Sequence, residues 1–291
     1  MELIYEITEN DYNKTINEIL LKEFNFSNRL FTKLIKNKNI LFNGREVDTR
    51  TLITNPGNIK IDFNYDEDNS NIVATKMNLN IVYEDEWMLV INKPAGCPIH
   101  PSRLHYEDSL SNGIKYYFDS INLNKKIRPV NRLDLNTSGL VIYAKCEYVQ
   151  EQFSNQMSNN LFKKEYLCLV NGLFKEKCGT IDLPISRKQG SIIERTINKN
   201  GKKSITHYEV LKKFDNYSLV NCKLETGRTH QIRVHMQAIG HPILCDTLYG
   251  KCSGLINRQA LHSYKIDCIH PVTKEPLSLI APLPNDIQGL I

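Results

Sequence analysis

Apolar positions in the first 63 residues recur at helical spacing and then give way to extended runs. Ile16, Ile19, Leu20 and Phe24 share one face of a helix around Asn13–Glu23, and Ser27 caps a second short helix carrying Leu30, Leu34 and Ile35. Beyond Lys38, Ile40-Leu41-Phe42 leads into Asn43-Gly44 and on through Arg45-Glu46-Val47, the spacing of a tight hairpin. From Leu79 onward strand-like runs dominate: Ile81–Tyr83, Met88–Ile91, Leu140–Tyr143, Tyr166–Val170, His207–Leu211 and Leu219–Leu224, with Asp215-Asn216 as a turn between the last two. Helices are predicted at Ser109–Phe118, Val149–Met157 and Gln231–Ile239, the last stopped by Gly240 and Pro242. Strands outnumber helices without a regular βαβ alternation, so the expected class is α+β around a mixed sheet. Asn64–Asn78 is polar, acidic and rich in turn formers, the composition of a linker. The expected division is a small module at 1–63, a linker at 64–78 and a main domain at 79–291.

Composition narrows the class. The chain has 291 residues, 41% hydrophobic and 24% charged, as ordinary globular domains are, which excludes disorder, collagen and coiled coil as the main architecture. Runs such as Trp87–Ile91 and Leu140–Ala144 are far short of a membrane span, and the acidic start Met1-Glu2-Leu3-Ile4-Tyr5-Glu6 lacks the basic region of a signal peptide. A cytoplasmic protein is expected. None of the eight cysteines forms a C-x-x-C pair and none of the eight histidines an H-E-x-x-H, so no metal is expected. Net charge is +5, unevenly spread. Ser27 to Lys60 holds seven basic residues (Arg29, Lys33, Lys36, Lys38, Arg45, Arg50, Lys60) against Glu46 and Asp48. Such a patch fits a polyanionic partner, and a solvated lysine-rich face equally.

Three segments are candidates for chemistry. Arg128-Pro-Val-Asn-Arg-Leu-Asp134-Leu-Asn-Thr-Ser-Gly139 places Asp134 on a loop ahead of a buried strand, where catalytic groups collect and where an Asp also caps turns. In Leu224–Pro242, Ile232, Met236 and Ile239 share one helical face while Thr229, Arg233 and Gln237 share another. Gly227 precedes that helix, whose N-terminus favours an anion; an amphipathic helix with a basic outer face is the plainer reading. In Phe162–Gly172 strand alternation puts Lys164 and Tyr166 on one face, a phenol beside an ammonium.

These segments occur in one order: Asn92-Lys93-Pro94-Ala95-Gly96, Arg132-Leu133-Asp134, Lys164-x-Tyr166, Gly227-Arg-Thr-His-Gln-Ile-Arg233, Gly240-His-Pro-Ile-Leu, and His270-Pro-Val-Thr. From about Ile81 to Asp286 the chain resembles the RluA/RluD-type pseudouridine synthases, and its first 63 residues resemble an S4-type RNA-binding domain. Two positions depart from the family: Asn131 stands where His is usual, and Cys245 where Gly is more frequent.

The resemblance implies a mixed, mainly antiparallel sheet with flanking helices plus a small α/β module. It implies an isomerase that breaks the C1′–N1 bond of a uridine in RNA and rejoins the base through C5. No cofactor and no metal are expected. Asp134 would be the nucleophile and Arg233 its partner, a pairing that favours the carboxylate form. Tyr166 would stack on the target base and assist proton transfer, more as a platform than as a base, since a phenol near pKa ~10 is little ionised at neutral pH. Arg132 and Arg228 would contact RNA near the site, and Arg29, Lys33, Lys36 and Lys38 would contact phosphates. The expected partner is RNA, ribosomal before transfer RNA, without a membrane and with a monomeric chain. Two other classes remain open: a catalytically silent RNA-binding or ribosome-assembly protein, with Asn131 as the mark of decay, and a carboxylate hydrolase that uses a second acid.

Overall fold

The computed structural model describes residues 1–252 and 254–291. Its first part consists of β1 (Glu2–Glu6), α1 (Ile16–Phe24), α2 (Asn28–Lys36), β2 (Ile40–Phe42), β3 (Arg45–Glu46) and β4 (Asn58–Asp62). Both helices start as their caps dictate: Thr15 accepts from the Glu18 amide, and Ser27 from that of Leu30. Asn43 and Gly44 take φ of 48° and 75°, the pair of left-handed residues that joins β2 to β3. The sheet order is β1-β4-β2-β3.

The second part runs β5 (Ile81–Glu84), β6 (Met88–Lys93), α3 (Leu110–Ser120), β7 (Arg128–Pro129), β8 (Ser138–Ala144), α4 (Glu147–Ser158) and β9 (Lys163–Asn171). It continues through β10 (Cys178–Asp182), β11 (Ile185–Arg187), β12 (Arg195–Ile197), β13 (Ile205–Lys213), β14 (Tyr217–Leu224), α5 (Gln231–Ala238), β15 (Leu261–Ile269), β16 (Pro276–Ile280) and α6 (Asn285–Gln288). One large sheet has the order β10-β13-β14-β9-β15-β8-β6-β5, with β16 added beside β15 and β7 beside β8. Its pairs are antiparallel except β15–β8, so the sheet is mixed and mainly antiparallel. That parallel seam is pinned by a side chain. His262 on β15 is fully buried, with Nδ1 2.9 Å from the Ser138 hydroxyl and Nε2 3.2 Å from the Ala281 carbonyl.

The segment 64–78 is tied down near its start. Tyr65 donates to Glu147 at 2.9 Å, and Glu67 receives Arg128 Nη1 at 2.7 Å. Lys33 of α2 reaches the same two carboxylates, Glu147 and, at 3.4 Å, Glu67. Lys33 and Arg128 hold the Glu147 carboxyl at about 2, against a desolvation that alone would raise it. Around this ionic centre Phe26 and Phe63 pack against Tyr148 of α4, with ring centroids 5.3 and 6.0 Å apart. One apolar cluster runs from Leu20, Leu34 and Ile61 to Val90, Leu140 and Phe153 without interruption. The composition of a linker thus conceals charges that are paired at a junction.

Two expectations follow. Arg128→Ala removes the two shorter bonds to Glu67, whose side chain is 5% exposed, leaving Lys33 at 3.4 Å as its cation, and should cost about 2–3 kcal/mol in a urea melt that remains one transition. Burial lowers the pKa of His262 to about 4, below the unfolded value near ~6.5, so the unfolded chain takes up its proton first as pH falls. This contribution is complete above ~6.5 and lost on the way to ~4. The stability advantage of wild type over His262→Gln should therefore shrink by about 3 kcal/mol between pH 7 and pH 4.

Candidate active site

Asp134 lies in the turn that delivers the chain into β8, its carbonyl accepting the Thr137 amide at 3.1 Å. Two side chains hold this turn by its backbone, and a third fastens the loop to β8. Lys93, fully buried, donates to the carbonyls of Leu135, Pro94 and Cys97 at 2.8–2.9 Å, and burial lowers its pKa to about 8. Arg258, itself paired with Asp286, donates to the Asn136 carbonyl at 3.1 Å. Asn131 gives its amide to the Leu140 carbonyl and takes the Ile142 N–H, both at 2.9 Å. One amide group supplies a donor and an acceptor at the spacing of a strand edge, so Asn131 acts as an extra rung of β8.

The partner of Asp134 arrives on α5. Gln231 fixes the start of that helix, donating to the Ile205 carbonyl at 3.0 Å and accepting from the Arg228 amide at 3.0 Å. Arg233, two residues on, is 4% exposed and bridges two carboxylates. Its Nε and Nη2 meet both oxygens of Asp246 at 2.7 and 2.8 Å, and Nη1 meets Oδ2 of Asp134 at 2.8 Å. Burial alone would lower the pKa of this guanidinium; Asp246 and Asp134 hold it above the ordinary arginine value. The basic outer face expected of this helix is therefore turned inward at Arg233. Gln237, on the same predicted face, is exposed.

Both elements border a cavity of about 560 Å³ that also receives Arg132, Lys164, Tyr166, Arg195 and Arg228. Tyr166, 6% exposed on β9, is pushed up to about 12, by burial first and then by the charge of Asp134. It keeps its proton at neutral pH and offers a ring face rather than a phenolate. Arg132 and Arg228 are exposed at the rim. Asp134 is the carboxylate among the lining residues; Asp246 is fully buried behind Arg233, Asp119 pairs with Lys115, and Glu147 belongs to the distant junction. Among the described residues no second acid therefore faces Asp134 across the cavity, which removes the two-carboxylate hydrolase. Among the described residues no group of three His, Cys, Asp or Glu is placed to hold a metal ion, and no helix is long and apolar enough to cross a membrane.

The basic patch of the first part lies apart from this cavity. Arg29 and Lys36 are exposed, Lys38 pairs with Glu46 at 2.7 Å, and Lys33 is committed to Glu147 and Glu67. Sequence reasoning missed Asp246, His230, Tyr249 and Arg195. Asp246 had one signal beside it: Cys245 takes φ of 53°, a conformation that explains a preference for glycine there.

An arginine-held carboxylate thus shares a cavity with a buried tyrosine beside the seam of a mixed sheet. The sequence matches the family described as RNA pseudouridylate synthase over residues 87–238. It is 38% identical over 270 residues to an uncharacterized RNA pseudouridine synthase of Bacillus subtilis, YjbO, covering 92% of this chain and 95% of that one. It is 33% identical to the ribosomal large subunit pseudouridine synthase D of Neisseria meningitidis serogroup B, covering 91% of this chain and 74% of the relative. The solved structure of human RNA pseudouridylate synthase domain containing 1 superposes with a TM-score of 0.61 at 30% identity, covering 71% of this chain and 84% of that one. The chain belongs to the RluA-type family of RNA pseudouridine synthases and is an isomerase acting on RNA.

The doubly held Arg233 gives an expectation. Asp246→Ala frees the guanidinium to rotate away from Asp134, and a misplacement of about 1 Å is worth about 100-fold in rate. Steady-state kinetics should show that loss in kcat, while filter binding finds RNA affinity within about twofold of wild type.

Proposed function

We propose that Asp134 is the nucleophile of uridine isomerisation in structured RNA, with large-subunit ribosomal RNA as the favoured substrate. The observation that carries the reading is the 2.8 Å contact of Arg233 with one oxygen of Asp134, across a cavity lined by Tyr166. Arg233 spends one N–H on Asp134 and the rest of its fork on Asp246, so the carboxylate is held without being enclosed. Attack of the carboxylate on C1′ breaks the C1′–N1 bond and leaves the base as an anion. The base turns within the cavity, C5 bonds to C1′ as the carboxylate departs, the C5 proton goes to solvent and N1 regains a proton. Atoms and charge balance with nothing added. Elimination to a glycal starts from the same carboxylate acting as a base on the sugar.

Tyr166 supplies the surface on which the base stacks while detached. Extrusion of the target from its stack costs a few kcal/mol, least in loops, and Arg132 and Arg228 at the rim meet the phosphates beside it. Residues 1–63 are taken as an S4-like docking module, joined through 64–78 to a catalytic domain at 79–291. Its phosphate contacts are assigned to Arg29, Lys36 and Lys38; Lys33 is withdrawn from that set because its ammonium neutralises Glu147 and Glu67. The ribosomal substrate follows the name of the Neisseria relative; a cytoplasmic location and a monomeric chain are part of the same proposal.

Tritium release from 5-tritiated-uridine RNA tests the reading, with total RNA from cells lacking the gene as substrate. Wild type should release tritium, and Asp134→Asn should lose at least about 1000-fold in rate while still binding RNA. Equal release by both proteins removes Asp134 from the mechanism. Tight RNA binding with no release from either makes the chain a silent binder.

A further inference from the structure

The helix that carries Arg233 begins at a residue under constraint. His230 caps α5 with φ of 58° and ψ of 19°, a left-handed conformation uncommon for a residue with a side chain. Its imidazole borders the cavity with the side chain 10% exposed. Nδ1 lies 2.8 Å from the Tyr249 hydroxyl, and Nε2 lies 3.7 Å from Oδ2 of Asp134.

The surroundings of Tyr249 decide which ring nitrogen carries the hydrogen. Its oxygen already accepts the Arg195 amide at 2.7 Å, and its raised pKa, due first to burial, keeps the phenol protonated. Tyr249 thus has one hydrogen to give, and Nδ1 of His230 is the acceptor within reach. A hydrogen on Nδ1 would leave that phenol without its acceptor and would turn the Nε2 lone pair toward a carboxylate. Both effects favour Nε2–H. The charged groups around the ring are Arg233 on its own helix, Arg195 on β12, and Asp134 and Asp246 on loops. Burial outweighs the carboxylates and lowers the pKa of the imidazole, so the ring is neutral near pH 7.

We infer that His230 is a positioning residue for Asp134: its Nε2–H, oriented by Tyr249, closes on Oδ2 beside Arg233 and leaves Oδ1 as the attacking oxygen. This rests on Asp134 being the nucleophile. A single donor on Oδ2 lets the carboxylate swing about its Cβ–Cγ bond, whereas two donors on one oxygen fix its plane. The present separation exceeds a hydrogen bond, and contacts of this kind commonly tighten when substrate fills the site.

The test uses the full chain and two measurements. Long-range proton–nitrogen correlation of the wild type, with the His230 signal identified by its loss in His230→Gln, should show hydrogen on Nε2 and a bare Nδ1. Tyr249→Phe should shift the ring toward a mixture of both forms. In tritium release, His230→Leu should lower kcat by about 10- to 100-fold, the value of a hydrogen bond to a charged group, with KM within about twofold. His230→Gln, whose amide Nε2 can take the place of the imidazole Nε2, should recover most of that loss. Hydrogen on Nδ1 in the wild type overturns the inference. So does a Leu variant within twofold of wild type, or a Gln variant no faster than the Leu variant. If His230→Leu fails to fold, the tautomer and the Gln variant, measured against wild type, decide alone. A wild type that releases no tritium overturns the Asp134 reading and this inference together; an active wild type with any of the adverse results overturns this inference only.

Discussion

The arrangement depends on one guanidinium shared by two carboxylates. Arg233 is buried, and a buried arginine is tolerable only where its charge and hydrogens are met. Asp246, fully buried, meets two of its nitrogens in the fork geometry that fixes the plane of the group. The remaining Nη1 then points where it must, at Asp134. Asp246 is itself held by the amides of Leu248 and Tyr249 at 3.0 and 3.2 Å, so the chain of constraint ends on backbone rather than on a mobile side chain.

This constraint ties the two sides of the large sheet together. Asp134 belongs to the β8 side, while Arg233 rides on a helix anchored through Gln231 to β13. Between them lies the one parallel pairing of the path, β15 with β8, short and reinforced by the His262–Ser138 contact. A slip at that seam would part the ion pair, so the geometry of the site is a readout of sheet register. Asn131 fits this logic. Its amide, with one donor and one acceptor, docks the loop on β8. Asn131, which departs from the histidine usual in the family, is thus paired at both ends of its amide.

What was legible in the sequence was local. The cap at Ser27 and the turn at Asn43-Gly44 involve neighbours, and the spacing of apolar residues placed α5 within a residue of where it stands. The pairing of β1 with β4 was not legible, because Leu3 meets Ile61 across most of the module. Nor was the ribbon of β11 and β12, whose strands are three residues each and carry no alternation of apolar and polar positions. Helical periodicity put Arg233 on an outer face because it weighs a residue by polarity and cannot see a buried Asp246 thirteen positions on. The motif resemblance identified Arg233 where periodicity misled, but the partner that fixes it came only from the fold.

The junction shows the same blindness with a larger consequence. Acidic, turn-rich composition reads as a linker when each charge is counted as solvated, yet Glu67 is nearly as buried as the core beside it. A module hung on a free tether adds affinity by local concentration and leaves the approach to the active site open. Here the module shares an apolar core and a paired ionic centre with the larger part, contacts that oppose such swinging. Its exposed cations and the cavity at Asp134 are then fixed relative to each other. Under the proposed function, an RNA that engages both would have to present its target uridine at that span, and the residues at the junction would bear on selectivity through the shape of the RNA without touching it.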